Sequence, residues 1–454
     1  MTNQVKHSKH HVKRTGLIIS RMRWLVLAGL LSAASQAAEP ISDAERFWPQ
    51  WRGPLSTGEA PYGDPPVRWD EDTNIRWKVP LPGLSHASPV VWGDRVFVLT
   101  AVLTSNKSSR IKGNFETFST KNAFRYEVLA INRRDGSLIW RRTATVETPH
   151  EGRHEDGSWA SCSPVTDGEH VIASFGSRGF YCYDMGGTLQ WKKDFGDMHI
   201  RYQYGESSSP VLSGERLIVQ WDHEGKSFIA VLDKSTGREI WRVNRNDGTS
   251  WATPLVIEHN GVKQVVVNAI RRVRSYDLES GSELWETRDM TAGPIPSPVA
   301  AEGIVYVMGG YLESIMQAIS LDKAKGNAAT SDAILWELDH DTPYVPSPLL
   351  YDGILYFLKS YQNMLSCFNA HTGESYYTRQ RLDRISDIYA SPVAAQGRVY
   401  LTGRNGVTLV IRHGLRFEVL AQNVLDERFE AFPAIVDQEL YLRGHKYLYC
   451  IALK

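Results

Sequence analysis

Cysteine is scarce in this chain: four among 454 residues, never adjacent and never as Cys-x-x-Cys. That argues against a disulfide-stapled scaffold and excludes the paired thiols of a redox motif. Long apolar runs are missing too; nothing reaches the ~18 residues of a membrane-spanning helix. Neither charge dominates, with 51 Lys+Arg against 51 Asp+Glu. Six of the basic residues (Lys6, Lys9, Lys13, Arg14, Arg21, Arg23) precede residue 37 without an acid among them, so the remainder is mildly acidic. Such a balance leaves no basic footprint for nucleic acid. Familiar catalytic signatures are absent: no G-x-S-x-G elbow, no His-Glu-x-x-His helix, no P-loop. The cluster His7, His10, His11 lies in the leader, and the adjacent side chains of Asp222, His223 and Glu224 seldom converge on one ion, so no metal is expected. No sustained helical periodicity follows the first residues, which excludes an all-α fold.

The amino terminus reads as an export signal. Basic residues lead into an apolar core, residues 24–31 (WLVLAGLL), and then small residues through Ala37. We expect residues 1–37 to be a signal peptide, with Met22 as an alternative start, and residues 38–72 to be an N-terminal arm. No Cys follows the apolar core to carry a lipid. The expected location is therefore periplasmic or secreted, with no transmembrane domain after signal removal.

The body of the chain repeats itself roughly every 45 residues. A Ser/Thr-Pro start recurs at Pro89, Pro164, Pro210, Pro254, Pro298, Pro348 and Pro392, and an eighth copy at Pro433 has Phe432 in place of Ser/Thr. Only the first interval is long, because a polar insertion occupies residues 105–122. Each start opens a short strand, a Gly turn and an alternating strand, as in SPVVWGDRVFVLT (88–100) and SPVAAQGRVYLTG (391–403). A third strand then ends in an acidic turn, Gly and an aromatic, as in LDKSTGREIW (232–241) and YDLESGSELW (276–285). Trp140, Trp191, Trp241, Trp285 and Trp336 occupy that docking position, with Trp77 ahead of the first repeat. Cys182, Cys367 and Cys450 fall at one place in three repeats, too far apart for a disulfide and suited to buried filling.

The fold class expected is all-β: an eight-bladed β-propeller of four-stranded antiparallel blades over residues 73–454. The last repeat runs out after three strands, and residues 74–81 (NIRWKVPL) supply the strand that completes the last blade. A seven-bladed ring with a stray hairpin, or two small β domains, are the alternatives.

The Gly-x-x-x-Trp endings resemble the docking repeats of pyrroloquinoline-quinone (PQQ)-dependent alcohol dehydrogenases. They are also similar to those of the outer-membrane barrel-assembly lipoprotein BamB. FWPQWRGP (47–54) resembles the opening of PQQ-like repeat proteins, and the likeness runs over residues 47–454. It implies the propeller, and function only weakly, since this fold hosts unrelated activities. The adjacent Cys pair common to the quinoproteins is not here, and their calcium-binding Glu, Asn and Asp match no position by motif.

In a propeller the residues before each repeat start line the mouth of the central channel. They are His86, Trp159, Tyr204, Glu206, Trp251, Tyr344, Asp387, Tyr389 and Glu430. Loops after the second strands add Arg178, Arg271 and Arg404. Two approaches, HEDGSW (154–159) and NDGTSW (246–251), share a turn leading into Trp. No catalytic residue emerges. The expectation is a non-catalytic binding or scaffold protein with a protein or glycan partner, no nucleic acid and no cofactor. The alternatives are a quinoprotein oxidoreductase using PQQ with Ca²⁺, and a carbohydrate-active enzyme using a pair such as Glu206 and Glu430.

Overall fold

A computed structural model describes residues 41–105, 108–288, 290–359 and 362–453. The expected signal peptide lies outside the described residues. Among the described residues strands dominate, and the helices are the single turn Asp43–Arg46 and three short 3-10 turns. The strands assemble a β-propeller in which eight sheets follow one another along the described residues, seven of four strands and one, Leu255–Arg288 with Gly326–Asn327, of five. The first runs Val90–Trp92, Arg95–Leu103, Phe124–Asn132, Leu138–Glu147, inner strand to outer. The eighth has Ala434–Val436, Glu439–Arg443 and Tyr447–Ile451, and its fourth strand is Ile75–Pro80 from the front of the chain. There Trp77 lies opposite Cys450 and Pro80 opposite Tyr447. Inner hairpins turn where two successive residues take positive φ, such as Asp352 and Gly353 at 46° and 68°, the geometry that matches strand twist. The insertion forms Ile111–Lys112 and Thr117–Ser119, which pair with Arg153–His154 as a separate three-stranded sheet.

Two devices join successive sheets, and both explain the repeat. The first is the Ser/Thr before each proline, whose buried hydroxyl accepts the backbone N–H of its counterpart one repeat earlier. Ser88 donates to Ser163 at 2.9 Å, Ser163 to Ser209 at 2.9 Å, Ser209 to Thr253 at 3.1 Å and Thr253 to Ser297 at 3.0 Å. Ser297 donates to Ser347 and Ser347 to Ser391, both at 2.9 Å. The Phe432 N–H then donates to Ser88 Oγ at 3.2 Å, so the series returns to its start. Each such bond contributes about 0.5–1.5 kcal/mol.

The second device is the tryptophan of the outer strand. Its indole N–H reaches a carbonyl of the next repeat: Trp77 to Arg133 at 2.9 Å, Trp140 to Met185 at 2.9 Å, Trp191 to Lys234 at 2.7 Å, Trp241 to Leu278 at 2.8 Å and Trp336 to Ala370 at 2.9 Å. The ring lies on that repeat's turn glycine, so close that a Cβ on Gly237 would stand 2.6 Å from Trp191. Trp285 departs from the pattern. Its N–H bonds Gln264 Oε1 within its own sheet at 2.9 Å, and the short strand Gly326–Asn327 pairs parallel beside it. The four cysteines are free and buried.

The arm does more than precede the repeats. Trp48 exchanges backbone bonds with Val91, Pro49 O accepts from Thr166 at 2.9 Å, Gln50 Oε1 from Leu212 at 3.2 Å, and Thr57 O from Leu350 at 3.3 Å. Ala60 N–H donates to Ala394 O at 2.8 Å. These partners belong to the inner strands of five sheets, so the arm crosses the center of the propeller. Arg52, fully buried, donates to the carbonyls of Pro392 at 2.7 Å, Thr57 at 2.9 Å and Pro348 at 2.5 Å. Trp51 turns inward, donates to Ser297 Oγ at 3.1 Å and meets Phe432 edge-on at 4.6 Å.

Candidate functional site

Trp51 and Phe432 lie among the residues that line the central cavity, of about 510 Å³. Its walls come from the connectors before the inner strands, where Tyr204, Trp251, Tyr344 and Tyr389 stand. Trp251 is fixed by its N–H to Gly205 O at 2.8 Å and faces Tyr204 with ring centroids 6.3 Å apart. Tyr344 stacks on Tyr311 at 5.4 Å and 22°. Tyr202 holds a positive φ of 55°, is 47 % exposed, and bridges Tyr204 to Phe115 of the insertion at 5.5 and 4.9 Å. Such rings, apolar on their faces and held at their edges, are platforms for a ligand that stacks.

One side of the mouth is polar and internally matched. Asp156 accepts from Tyr389 Oη at 3.1 Å, from Arg428 at 2.9 Å and from Arg404. Arg404 lies 4.3 Å from the center of the Tyr389 ring and donates to Glu430 Oε1 at 3.1 Å. Glu430 Oε1 also accepts from Arg428 at 2.6 Å, while its Oε2 meets His445 Nε2 at 2.5 Å. Burial pushes the Glu430 carboxyl up, yet the His445 bond and the neighbouring His86, His445 and Arg404 charges prevail and hold it below its ordinary range. His86, stacked on His445 at 5.6 Å, is lowered by burial to about 4. Glu206 is half-buried and its carboxyl is raised, because the loss of solvation outweighs the N–H of Ser177 at 2.7 Å and the Ser177 hydroxyl that it accepts.

Seven of the residues expected at the mouth line this cavity: His86, Tyr204, Glu206, Trp251, Tyr344, Tyr389 and Glu430. Five do not. Trp159 packs against Phe124 at 6.2 Å with Arg153 over its ring, and lines a separate small cavity of about 30 Å³. The two look-alike approaches thus diverge because Asp156 reaches across to Arg404, whereas its counterpart Asp247 is buried against Arg245 and Arg274 at 2.9 and 2.7 Å. Arg178 lines the same small cavity, bonded to Glu147 at 2.7 Å and paired with Asp197. Arg271 is an exposed turn residue with φ 65°. Asp387 is exposed and contributes its carbonyl to Arg404 N–H at 3.4 Å. Arg404 stands behind Tyr389, held by Asp156 and Glu430. Asp222, His223 and Glu224 diverge, to Arg245, Lys226 O and Thr249.

Sequence reasoning missed Trp51, Tyr202, Tyr311, Arg428 and Phe432, and left Asp156 unnamed inside the HEDGSW approach. Phe432 carried a signal, as the one repeat start without a hydroxyl.

Tryptophans docked on the next repeat's glycine around an aromatic channel define a PQQ-like β-propeller. A family model described as outer membrane protein assembly factor BamB matches residues 125–378 and 226–454, and the chain belongs to that family. No curated protein matches the sequence. Among solved structures, BamB from Moraxella catarrhalis is similar at 15 % identity and a TM-score of 0.53, over 77 % of this chain and 100 % of that one. Quinohemoprotein alcohol dehydrogenase from Comamonas testosteroni gives 10 % identity and 0.61, over 90 % and 81 %. The computationally designed Ika8 protein gives 13 % and 0.52, over 81 % and 100 %. Identities of this size show the fold alone. Among the described residues, no helix is long and apolar enough to cross a membrane.

Proposed function

We propose that the chain is a non-catalytic binding or scaffold protein of the cell envelope, which holds a segment of a protein partner in the aromatic mouth of its channel. The observation that carries this reading is the cavity: Tyr and Trp faces, with Tyr344 stacked on Tyr311, Tyr204 tilted against Trp251, and Trp51 of the chain's own arm among the lining. Among the described residues its charged groups are matched to one another and leave no nucleophile beside a base. The family, described as an outer-membrane assembly factor, supports an envelope protein partner.

The quinoprotein alternative fits these residues poorly. PQQ is a polycarboxylate, and the guanidiniums nearest the cavity are already engaged, Arg404 and Arg428 by Asp156 and Glu430, Arg201 by Glu224 at 3.3 Å. The carboxylates a Ca²⁺ ion needs are likewise turned to Ser177 and to His445. A carbohydrate-active enzyme draws on one real feature, that Glu206 is raised while Glu430 is lowered in the same cavity. Against it, Ser177 holds both oxygens of Glu206.

Partner capture from envelope extract by purified protein, compared with Trp251→Ala and Tyr344→Ala, tests the reading. Each aromatic truncation is expected to weaken capture roughly thirtyfold, the effect of a hot spot of about 2 kcal/mol. Unchanged capture refutes the mouth as the binding surface. Stoichiometric PQQ binding with dye-linked alcohol oxidation would replace this reading with the oxidoreductase.

A further inference from the structure

Among the described residues, two clusters each place two imidazoles and a carboxylate within 4.8 Å of one another: His86, Glu430 and His445, and His150, Glu151 and His199. Donor type alone suits both to a transition metal. Charge separates them. Around the first, Arg404 and Arg428 bind Glu430, and Arg443 and Arg153 face His86. Four guanidiniums against Glu430 and Asp156 leave that pocket positive, and a divalent cation there is repelled.

The second cluster has the opposite balance. Glu151 faces Glu206 and Asp197, and Glu147 joins Asp197 around Arg178. Arg178 is the one cation in that group, since nearby Arg201 is paired with Glu224. Four carboxylates against a single guanidinium make a site short of positive charge. The donors also come from two connectors: His150 and Glu151 follow the outer strand Leu138–Glu147 of the first sheet, and His199 follows Leu189–Lys193 of the second.

Geometry agrees. The Ile200 N–H fixes Glu151 Oε1 at 3.0 Å, and Glu151 Oε2 lies 4.0 Å from His150 Nε2 and 3.9 Å from His199 Nδ1. Ligand atoms about 2.1 Å from a tetrahedral ion stand about 3.4 Å apart, so the two Glu151–His pairs close by about half an ångström, and the two imidazoles start within 4.8 Å of each other. His150 Nε2 meets Met198 O at 2.6 Å, and Arg178 Nη2 donates to its Nδ1 at 3.3 Å; metal binding must break the first contact and turn Arg178 aside, after which Nδ1, 3.6 Å from Asp197 Oδ1, carries the proton toward that carboxylate. That is the usual outer partner of a metal-bound histidine. His199, 71 % exposed, leaves the ion reachable from solvent.

We infer that His150, Glu151 and His199 form a binding site for a divalent transition-metal ion of the Zn²⁺ type, its fourth position open to water. The ion would clamp the connectors that carry His154 and Asp156 on one side and Tyr202 and Tyr204 on the other into the cavity wall. The site stands apart from the proposed function, since metal binding is read without any partner.

The test uses the full chain with His7, His10 and His11 changed to Ala, so that the leader offers no imidazoles. Chelator-stripped protein is titrated with Zn²⁺ by calorimetry and with Co²⁺ by its visible d–d absorption. One ion per chain is expected. His199→Ala, an exposed position that folding tolerates, should weaken binding at least tenfold, and Asp197→Asn roughly 10- to 100-fold. His445→Ala should leave binding unchanged. Absence of stoichiometric binding, full binding in His199→Ala, or loss in His445→Ala each overturns the assignment.

Discussion

Replacing Gly237 by Ala should destabilise the protein far more than the same change at Gly326, and the difference isolates what the docking tryptophans do. Both glycines have positive φ, 67° and 53°, so both substitutions carry the left-handed strain of an L residue, about 1 kcal/mol. At Gly326 nothing lies within 4 Å of the new Cβ. At Gly237 the Cβ would meet Trp191 at 2.6 and 2.7 Å, under a ring that is 8 % exposed and pinned by its bond to Lys234 O at 2.7 Å. A ring so held cannot step aside cheaply, and overpacking adds about 1–3 kcal/mol. The expected losses are about 2–4 kcal/mol for Gly237→Ala and about 1 kcal/mol for Gly326→Ala. Urea unfolding followed by circular dichroism measures both. Equal shifts would refute the view that the glycine is kept for the tryptophan of the preceding repeat.

Arg52→Met removes the donor shared by three buried carbonyls and should cost about 3 kcal/mol, after allowing for relief of a buried charge; a thermal midpoint equal to wild type would contradict the arm's anchoring role. Trp159→Ala and Trp251→Ala should part company: the first lowers stability by about 3 kcal/mol and leaves partner capture intact, the second the reverse. Chemical denaturation beside the capture assay checks this, and matching profiles would erase the distinction between the two cavities. For Glu206, burial raises the folded carboxyl above its ordinary value. Its contribution to stability is therefore complete below the unfolded value and is lost as pH rises through the folded one. Glu206→Gln should gain on wild type between acid and neutral pH; parallel stability–pH curves would rule this out.

The propeller was legible because its joints are chemical and periodic. A Ser or Thr hydroxyl before proline and a tryptophan answering the next repeat's glycine must recur wherever sheets meet, so spacing alone reveals them. Phe432 breaks the series for a reason invisible in one dimension: its ring meets Trp51, which arrives from nearly 400 residues earlier. Trp285 likewise keeps the motif while bonding Gln264 in its own sheet. The mouth was legible by strand direction, which placed Tyr204, Trp251, Tyr344 and Tyr389 on the cavity wall. Trp159 was misplaced because HEDGSW and NDGTSW share residues but not partners, Asp156 crossing the mouth to Arg404 while Asp247 stays within its own arginines. The His150, Glu151 and His199 cluster joins two connectors: HEGRH (150–154) places two of its ligands side by side in the sequence, but nothing along the chain announces His199.

Site-specific photo-crosslinking in intact cells tests the aromatic mouth most directly. A benzophenone amino acid at Tyr344, beside the stacked Tyr311, is compared with one at Leu55, which is 43 % exposed on the arm. The account predicts a covalent adduct to a polypeptide from position 344 and none from position 55. An adduct from position 55 alone, or none from 344, would contradict it.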